Sequence, residues 1–554
     1  MSRSPSIPAG RRAGVCPWVG TWVRPWARRL AWARCPAQSL SHSAAPRSLW
    51  RAAALGLCVL GLCVAVLAPL LVVDMPPLVD YPNHLARAFV LASLPADPVL
   101  ARFYAPHWSL TPNLALDLVA PPLMHWLPVQ VVGRLLIAAA LLLPVLGTLA
   151  YRAALDAGEG WWALGVGFAA YNTCLLYGFL NFDIALGLAL LLAAGWLRWR
   201  RNRLVAALLL GMIGAVTLFM CHLMGLVFFA ALIGGAELAD ILPTHPDGLL
   251  RTALRRGAVL LPVFAAPAGL YAASALRGLG GDAVYLSPLA KLAQLLTVFA
   301  NYQPPLDLAT AALLIAIPAV ALMCRRGRVP PPALGAGVLL LAGFLAAPFA
   351  WKGTYWLDTR FAVMLAFLLF AAFVPSRWPG SVRNAVAALL IVLFAARMGI
   401  LTDAWIGHRA DLADLRTVLA PVRPGQAVYV AEVGFDEAPA YWAANPRWRR
   451  LSATERTDEH LGALALIEHR AWWPFEFDNP SQQPLETLPP YRDLAARVGH
   501  MPHYADIAHA DLCGFDVLLL QDADAMPDLP RDRFRLLARS GFAALYSILS
   551  CAPP

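Results

Sequence analysis

The residues best placed to do chemistry follow directly on the first long apolar run. There the chain reads Asp74-Met-Pro-Pro-Leu-Val-Asp80-Tyr-Pro-Asn-His84-Leu-Ala-Arg87. Pro82 suits the first turn of a helix. His84 and Arg87, three apart, share one face of that helix, with Asp80 just ahead of its start. Asp80 is thus a candidate general base at a membrane surface, with His84 and Arg87 beside it as substrate-binding groups. The same aspartate would serve as an anionic helix cap, worth about 0.5–2 kcal/mol. Spacing leaves both roles open.

Further polar groups gather at the ends of apolar runs. Asn181 and Asp183 lie in the hairpin YGFLNFD (177–183) and His222 in MCHLM (220–224). Each would line a site at a span end, though an Asn in a tight hairpin also serves the turn itself. The segment 351–360, WKGTYWLDTR, offers Lys352, Tyr355 and Arg360. Its cations suit a phosphate, Arg bidentately. The alternative is that they snorkel to lipid headgroups beside an interfacial aromatic belt. Trp472 and Trp473, within HRAWWPFEFDN (469–479), would either stack on a sugar or fill a core.

The elements that must position these residues are membrane spans. The 554-residue chain is 59% apolar and 14% charged, where soluble domains run at about 45–50% and about 25%. That excludes a water-soluble enzyme and a disordered chain. Of the formal charge of +10, nine arginines without an acid fall in residues 1–51. The rest is close to neutral, which excludes nucleic acid as a partner. The nine cysteines form no CxxC pair and no metal-ligand spacing. Cys513 and Cys551 stand in polar sequence and could pair if that part is extracytoplasmic.

A bilayer core takes about 20 apolar residues as a helix. The first such run, 50–73, reads as a signal anchor behind a disordered, basic cytoplasmic tail at 1–49. Further runs lie near 130–150, 161–178, 180–198, 204–220, 222–238, 258–276, 306–324, 333–350, 361–375 and 384–403, eleven in all. Residues 113–127 are apolar too, but Pro121, Pro122, Pro128 and Asp117 interrupt them. If this stretch lies flat on the outer face, every arginine cluster (198–203, 251–256, 325–328, and 377 with 383) falls in the cytoplasm. The loops 74–129, 277–305 and 351–360 and the region 404–554 then lie outside. That last region holds 20 of the 34 acids and 14 arginines. VYVAEV (428–433) and DVLLL (516–520) read as strands and 531–540 as helix, so it is expected to be a small α/β domain.

One first span, a long outer loop opening with an acid, many further spans and a soluble outer C-terminal domain: this arrangement resembles the GT-C class of membrane glycosyltransferases. The resemblance covers the architecture of residues 50–403, and its one sequence motif is the acid Asp80. It implies transfer of a sugar from a polyprenyl-phosphate carrier to an envelope glycan, lipid or protein acceptor at the outer face of a bacterial inner membrane. It also implies that Asp80 is the catalytic acid of the first loop and that 113–127 is a surface helix. Many members carry two adjacent acids, whereas Tyr81 follows Asp80 here. A second catalytic acid would have to be Asp117 or Asp97, and a divalent cation is left open. The rival readings are a solute or lipid transporter, for which broken mid-membrane helices and inverted repeats are expected, and a non-catalytic assembly or receptor protein.

The topology is testable by cysteine labelling. A cysteine introduced in 277–305 or in 404–554 should react with an impermeant reagent from outside, and one in 198–203 should not. Labelling at 198–203 would mean that residues 113–127 cross the membrane.

Overall fold

The computed structural model of the protein describes residues 45–156, 158, 160–242, 246–444, 447–451 and 455–552. Most of the expected basic tail lies outside these residues. The first helix, α1 (Ala45–Leu67), starts within the stretch expected to be tail. Two helices of the first long loop follow, α2 (Tyr81–Ser93) and α3 (Ala115–Met124), and then α4 (Val129–Ala154). After two single turns, α5 (Gly167–Ala170) and α6 (Thr173–Leu176), come α7 (Leu180–Trp199), α8 (Leu204–Cys221), α9 (Leu223–Ile241) and α10 (Pro246–Ala273). The series ends with α11 (Pro288–Thr297), α12 (Pro304–Met323), α13 (Pro331–Ala346), α14 (Leu357–Ala372) and α15 (Gly380–Leu419). Among the described residues, eight helices are long and apolar enough to cross a membrane. The protein is a polytopic helical membrane protein with a C-terminal α/β region.

Three of the eleven apolar runs differ from the expected long helix. The helices α13 and α14 have only 16 residues each. The run 161–178 is not one helix: a 3-10 segment (161–166), α5 and α6 succeed one another with breaks at Tyr171 and Asn172. Gly165, Gly167 and the turn-forming Asn172 favour that interruption. Broken backbone is tolerated at membrane depth only where protein surrounds it, and residues 166–178 are all buried. The Asn172 side chain accepts from Leu175 N at 3.2 Å to start α6, and the Tyr171 hydroxyl donates to Val66 O at 2.8 Å. The segment still runs from one end of the bundle to the other. Trp161 packs on Trp378 at 5.8 Å, and Tyr177 stacks on Trp356 at 4.9 Å.

Within the bundle, small residues let backbones close up. A Cβ on Gly235 of α9 would sit 2.1 Å from the Ala336 nitrogen of α13. Two arginine clusters meet at one end. Arg200 reaches Glu237 at 2.9 Å and Asp240 at 2.8 Å, and Arg256 reaches the same Glu237 at 3.1 Å. The surface helix α3 has ten residues, too few to span, and shows Leu118 and Val119 outward, with Trp126 just beyond it 87% exposed.

In the C-terminal region, β4 (Val428–Ala431) runs parallel to β6 (Val517–Gln521), and β8 (Ala543–Ile548) and β7 (Phe534–Ser540) complete an antiparallel edge in the order β4-β6-β8-β7. The expected helix at 531–540 is therefore wrong. Gly541, with φ +47°, turns the chain back so that Ser540 pairs with Ala543 and Phe534 with Ile548. That ladder overrides the helix-compatible spacing of Phe534, Leu537 and Ala538. Two short pairs lie elsewhere: β1 (Tyr104–Pro106) of the first loop with β5 (Leu485–Thr487), and β2 (Gly327–Arg328) with β3 (Val374–Pro375). The helix α15 runs 40 residues, straight through the 403/404 boundary. Cys513 and Cys551 are disulfide-bonded.

The disulfide closes a loop across a sequence separation of 38, for which chain entropy alone gives about 3–4 kcal/mol. Cys513→Ser should lower the melting temperature in detergent and abolish the mobility shift on reduction. An unchanged melting curve would show that the sheet holds the tail without it.

Candidate active site

Asp80 is fixed by its backbone. Val79 N donates to Leu176 O and Asp80 N to Tyr177 O, both at 3.0 Å. The approach needs Gly178, whose φ is +87° and where a Cβ would lie 2.8 Å from the Tyr81 nitrogen. Asp80 occupies the N-cap position of α2, yet its side chain makes no capping bond. The carboxylate instead faces His460 of the C-terminal region, Oδ1 to Nδ1 3.4 Å. The same Nδ1 lies 3.1 Å from the Val79 carbonyl, to which it donates. Burial alone would pull the imidazole pKa down. The hydrogen bond and charge of Asp80, with Glu459 and the Val79 carbonyl, outweigh that and push it up to about 9.

A cavity of about 950 Å³ opens in front of this pair. Seven of the ten expected site residues line it: Asp80, His84, Asn181, His222, Lys352, Tyr355 and Arg360. His84 meets the Phe477 ring edge-on at 5.2 Å, as His460 does from its own position. Burial, with the charges of Arg87 and His460, holds the His84 pKa well below its ordinary value. Asn181 spends its amide on structure, accepting from Leu116 N at 3.1 Å and donating to Asn113 O at 2.9 Å, which pins α3 to α7. His222 caps α9 by accepting from Met224 N at 3.0 Å. Lys352 donates to Arg277 O at 3.1 Å. Tyr355 is largely exposed, and its carbonyl accepts from Arg360.

Arg360 is the unusual group. It is 5% exposed, yet among the described residues no carboxylate reaches ion-pair distance of it. Its Nη1 donates to Tyr355 O at 2.9 Å, its Nε has no partner among the described residues, and its guanidinium lies 4.7 Å from the Phe179 ring centre. A buried cation with no carboxylate at ion-pair distance is costly; the charges of Asp80 and Asp183 act on this one from further off, and it lines the cavity.

The other three expected residues do not line the cavity. Arg87 turns behind α2 and grips Asp117 bidentately, at 2.7 and 3.1 Å, with both side chains almost fully buried. Asp183 accepts from Asn172 Nδ2 at 2.8 Å inside the bundle. Asp97, the other possible second acid, pairs with Arg470 at 3.0 Å. Both candidate partners for Asp80 are thus engaged elsewhere. Among the described residues no group of three or more His, Cys, Asp or Glu stands close enough to hold a metal, so a divalent cation finds no ready-made ligand set. Trp472 and Trp473 are buried core, at 1% and 0% exposed.

Sequence reasoning missed what the C-terminal region brings: Glu455, Glu459, His460, Glu476, Phe477 and Asp478 all line the cavity. The segment 469–479 drew notice for its tryptophans, but its cavity residues are those just after them. Their signal was present in the acid-rich ERTDEH (455–460) and FEFD (475–478), without anything to say which loop they would meet.

No protein-family model matches the chain, and no curated protein matches it. It is similar to the crystal structure of ArnT from Cupriavidus metallidurans bound to undecaprenyl phosphate, with 15% identity, 90% of this chain and 99% of that chain covered, and a TM-score of 0.46.

The Asp80–His460 contact predicts a pH dependence. The folded imidazole titrates above its unfolded value of about 6.5. It therefore contributes stability that is complete below pH 6.5 and lost as pH rises through about 9. Melting temperatures of His460→Gln and the parent protein should converge over that interval, and a constant gap would contradict the pairing.

Proposed function

We propose that the protein is a GT-C-like glycosyltransferase that moves a sugar from a polyprenyl-phosphate carrier to an acceptor at the outer face of a bacterial inner membrane. The observation that carries this reading is one cavity bordered by an unpaired buried arginine and by a carboxylate without a capping duty. Arg360 is suited to the carrier's phosphate, and Asp80 to a proton. The orientation draws support from the arginine clusters, which cytoplasmic ends favour, and from a disulfide in the C-terminal region, which suits an oxidising compartment.

In this mechanism Asp80 accepts the proton of an acceptor hydroxyl as its oxygen attacks the anomeric carbon. The bond from that carbon to the carrier's phosphate oxygen breaks, and its electron pair leaves on the phosphate. Arg360 neutralises the charge that develops there, a role of the oxyanion-hole kind. His460 acts as a positioning residue, holding the Asp80 carboxylate against the Val79 backbone. The acceptor is an envelope glycan, lipid or protein.

Asp80→Asn retains size and loses the proton acceptor. In proteoliposomes charged with radiolabelled polyprenyl-phosphate sugar, transfer should fall by about 10²-fold or more while insertion is unchanged. Near-normal transfer would end the catalytic assignment. Arg360→Met should weaken polyprenyl-phosphate binding by roughly 10- to 100-fold, the loss expected of a charge-assisted hydrogen-bonding group.

A further inference from the structure

Whereas Arg360 belongs to α14, Glu476 lines the cavity from the segment that Asn83 of α2 holds. Two bonds from one side chain fix the backbone around it. Asn83 Nδ2 donates to Phe475 O at 2.6 Å, and Phe477 N donates to Asn83 Oδ1 at 2.9 Å. The carboxyl group between them is 6% exposed. One oxygen receives only a long bond from Trp473 Nε1, 3.4 Å, and the other, Oε1, has no hydrogen-bond partner among the described residues. A buried polar group left unmet is costly, and each such group asks for an explanation.

On the footing of the glycosyl-transfer reading, we infer that Glu476 is a sugar-binding residue, whose unpartnered carboxyl oxygen takes a hydroxyl group of the carrier-borne sugar. Burial pushes its pKa up to about 8, against the pull of Arg87, so it is largely a neutral acid at physiological pH. A neutral carboxyl both donates and accepts, which matches a hydroxyl better than it matches a phosphate or a bare cation. Asp478 and Glu459, on the same side of the cavity, add further acceptors for a polyhydroxyl ring. The buried Arg87–Asp117 pair gains a purpose from this: it braces α2, from which Asn83 holds the Glu476 segment in place.

The test compares two probes on protein in lipid nanodiscs: undecaprenyl phosphate and the same lipid bearing a hexose. Glu476→Ala should weaken binding of the hexose-bearing lipid by about tenfold, an amount appropriate to one buried hydrogen bond, and leave the bare phosphate lipid unchanged. Glu476→Gln, which keeps one donor and one acceptor, should stay within about threefold of the parent for both. Equal weakening of both lipids by the Ala variant, or of neither, would overturn the inference while the glycosyl-transfer reading stood. If the parent protein bound neither lipid, that reading would fall and this inference with it.

Discussion

The contact between Asp80 and His460 is the constraint around which the rest of the protein is arranged. A carboxylate held at the end of a span is costly unless it is paired, and its partner lies 380 positions along the chain. To bring it there, the C-terminal region must seat on the first long loop, and several independent ties do so. Arg416 of α15 joins Asp74 at 2.7 Å and Glu468 at 2.9 Å. Arg470 joins Asp97, the Asn83 side chain clamps the Phe475–Phe477 backbone, and β1 pairs with β5. Each joins the segment after α1 to the last 150 residues, so the cavity has walls from both ends of the sequence.

Rigidity on the C-terminal side comes from a buried ionic network. Arg449 bonds Asp411 of α15 at 2.9 Å and Asp522, at the end of β6, at 3.2 Å. Arg456 bonds Asp458 at 2.9 Å and the same Asp522 at 2.6 Å. A network of this kind specifies one arrangement because any missing member strands another charge. Asp522 links the sheet, the extension of α15 and the loop that carries His460. The uninterrupted α15 thereby connects the bundle to the segment that reaches Asp80, and the Arg397–Asp307 ion pair fastens its apolar half to α12.

Much of the helical membrane architecture was legible because apolar length is a strong, local signal. The run 161–178 shows its limit: hydropathy registers burial, not helix, and a segment wrapped in protein can break at Tyr171 and Asn172 without losing its apolar character. Asp80, picked out by its place after the first apolar run, and Arg360, by its place at the end of another, both line the cavity. The pairing of Arg87 with Asp117 was not legible, since the distance between α2 and α3 is set by packing. His460 and Glu476 were invisible as cavity residues for the same reason, because nothing local to either says that it meets the segment after α1. At 531–540, a strand whose partner lies across a tight turn imitated a helix, its spacing compatible with both.

In the glycosyl-transfer mechanism proposed above, Arg360 meets the phosphate of a polyprenyl carrier near Asp80. Cryo-electron microscopy of the protein in nanodiscs with undecaprenyl phosphate should show phosphate density within hydrogen-bonding distance of the Arg360 guanidinium, inside the cavity bordered by Asp80 and His460. Phosphate density elsewhere, with Arg360 still bonded to the Tyr355 carbonyl, would refute that placement.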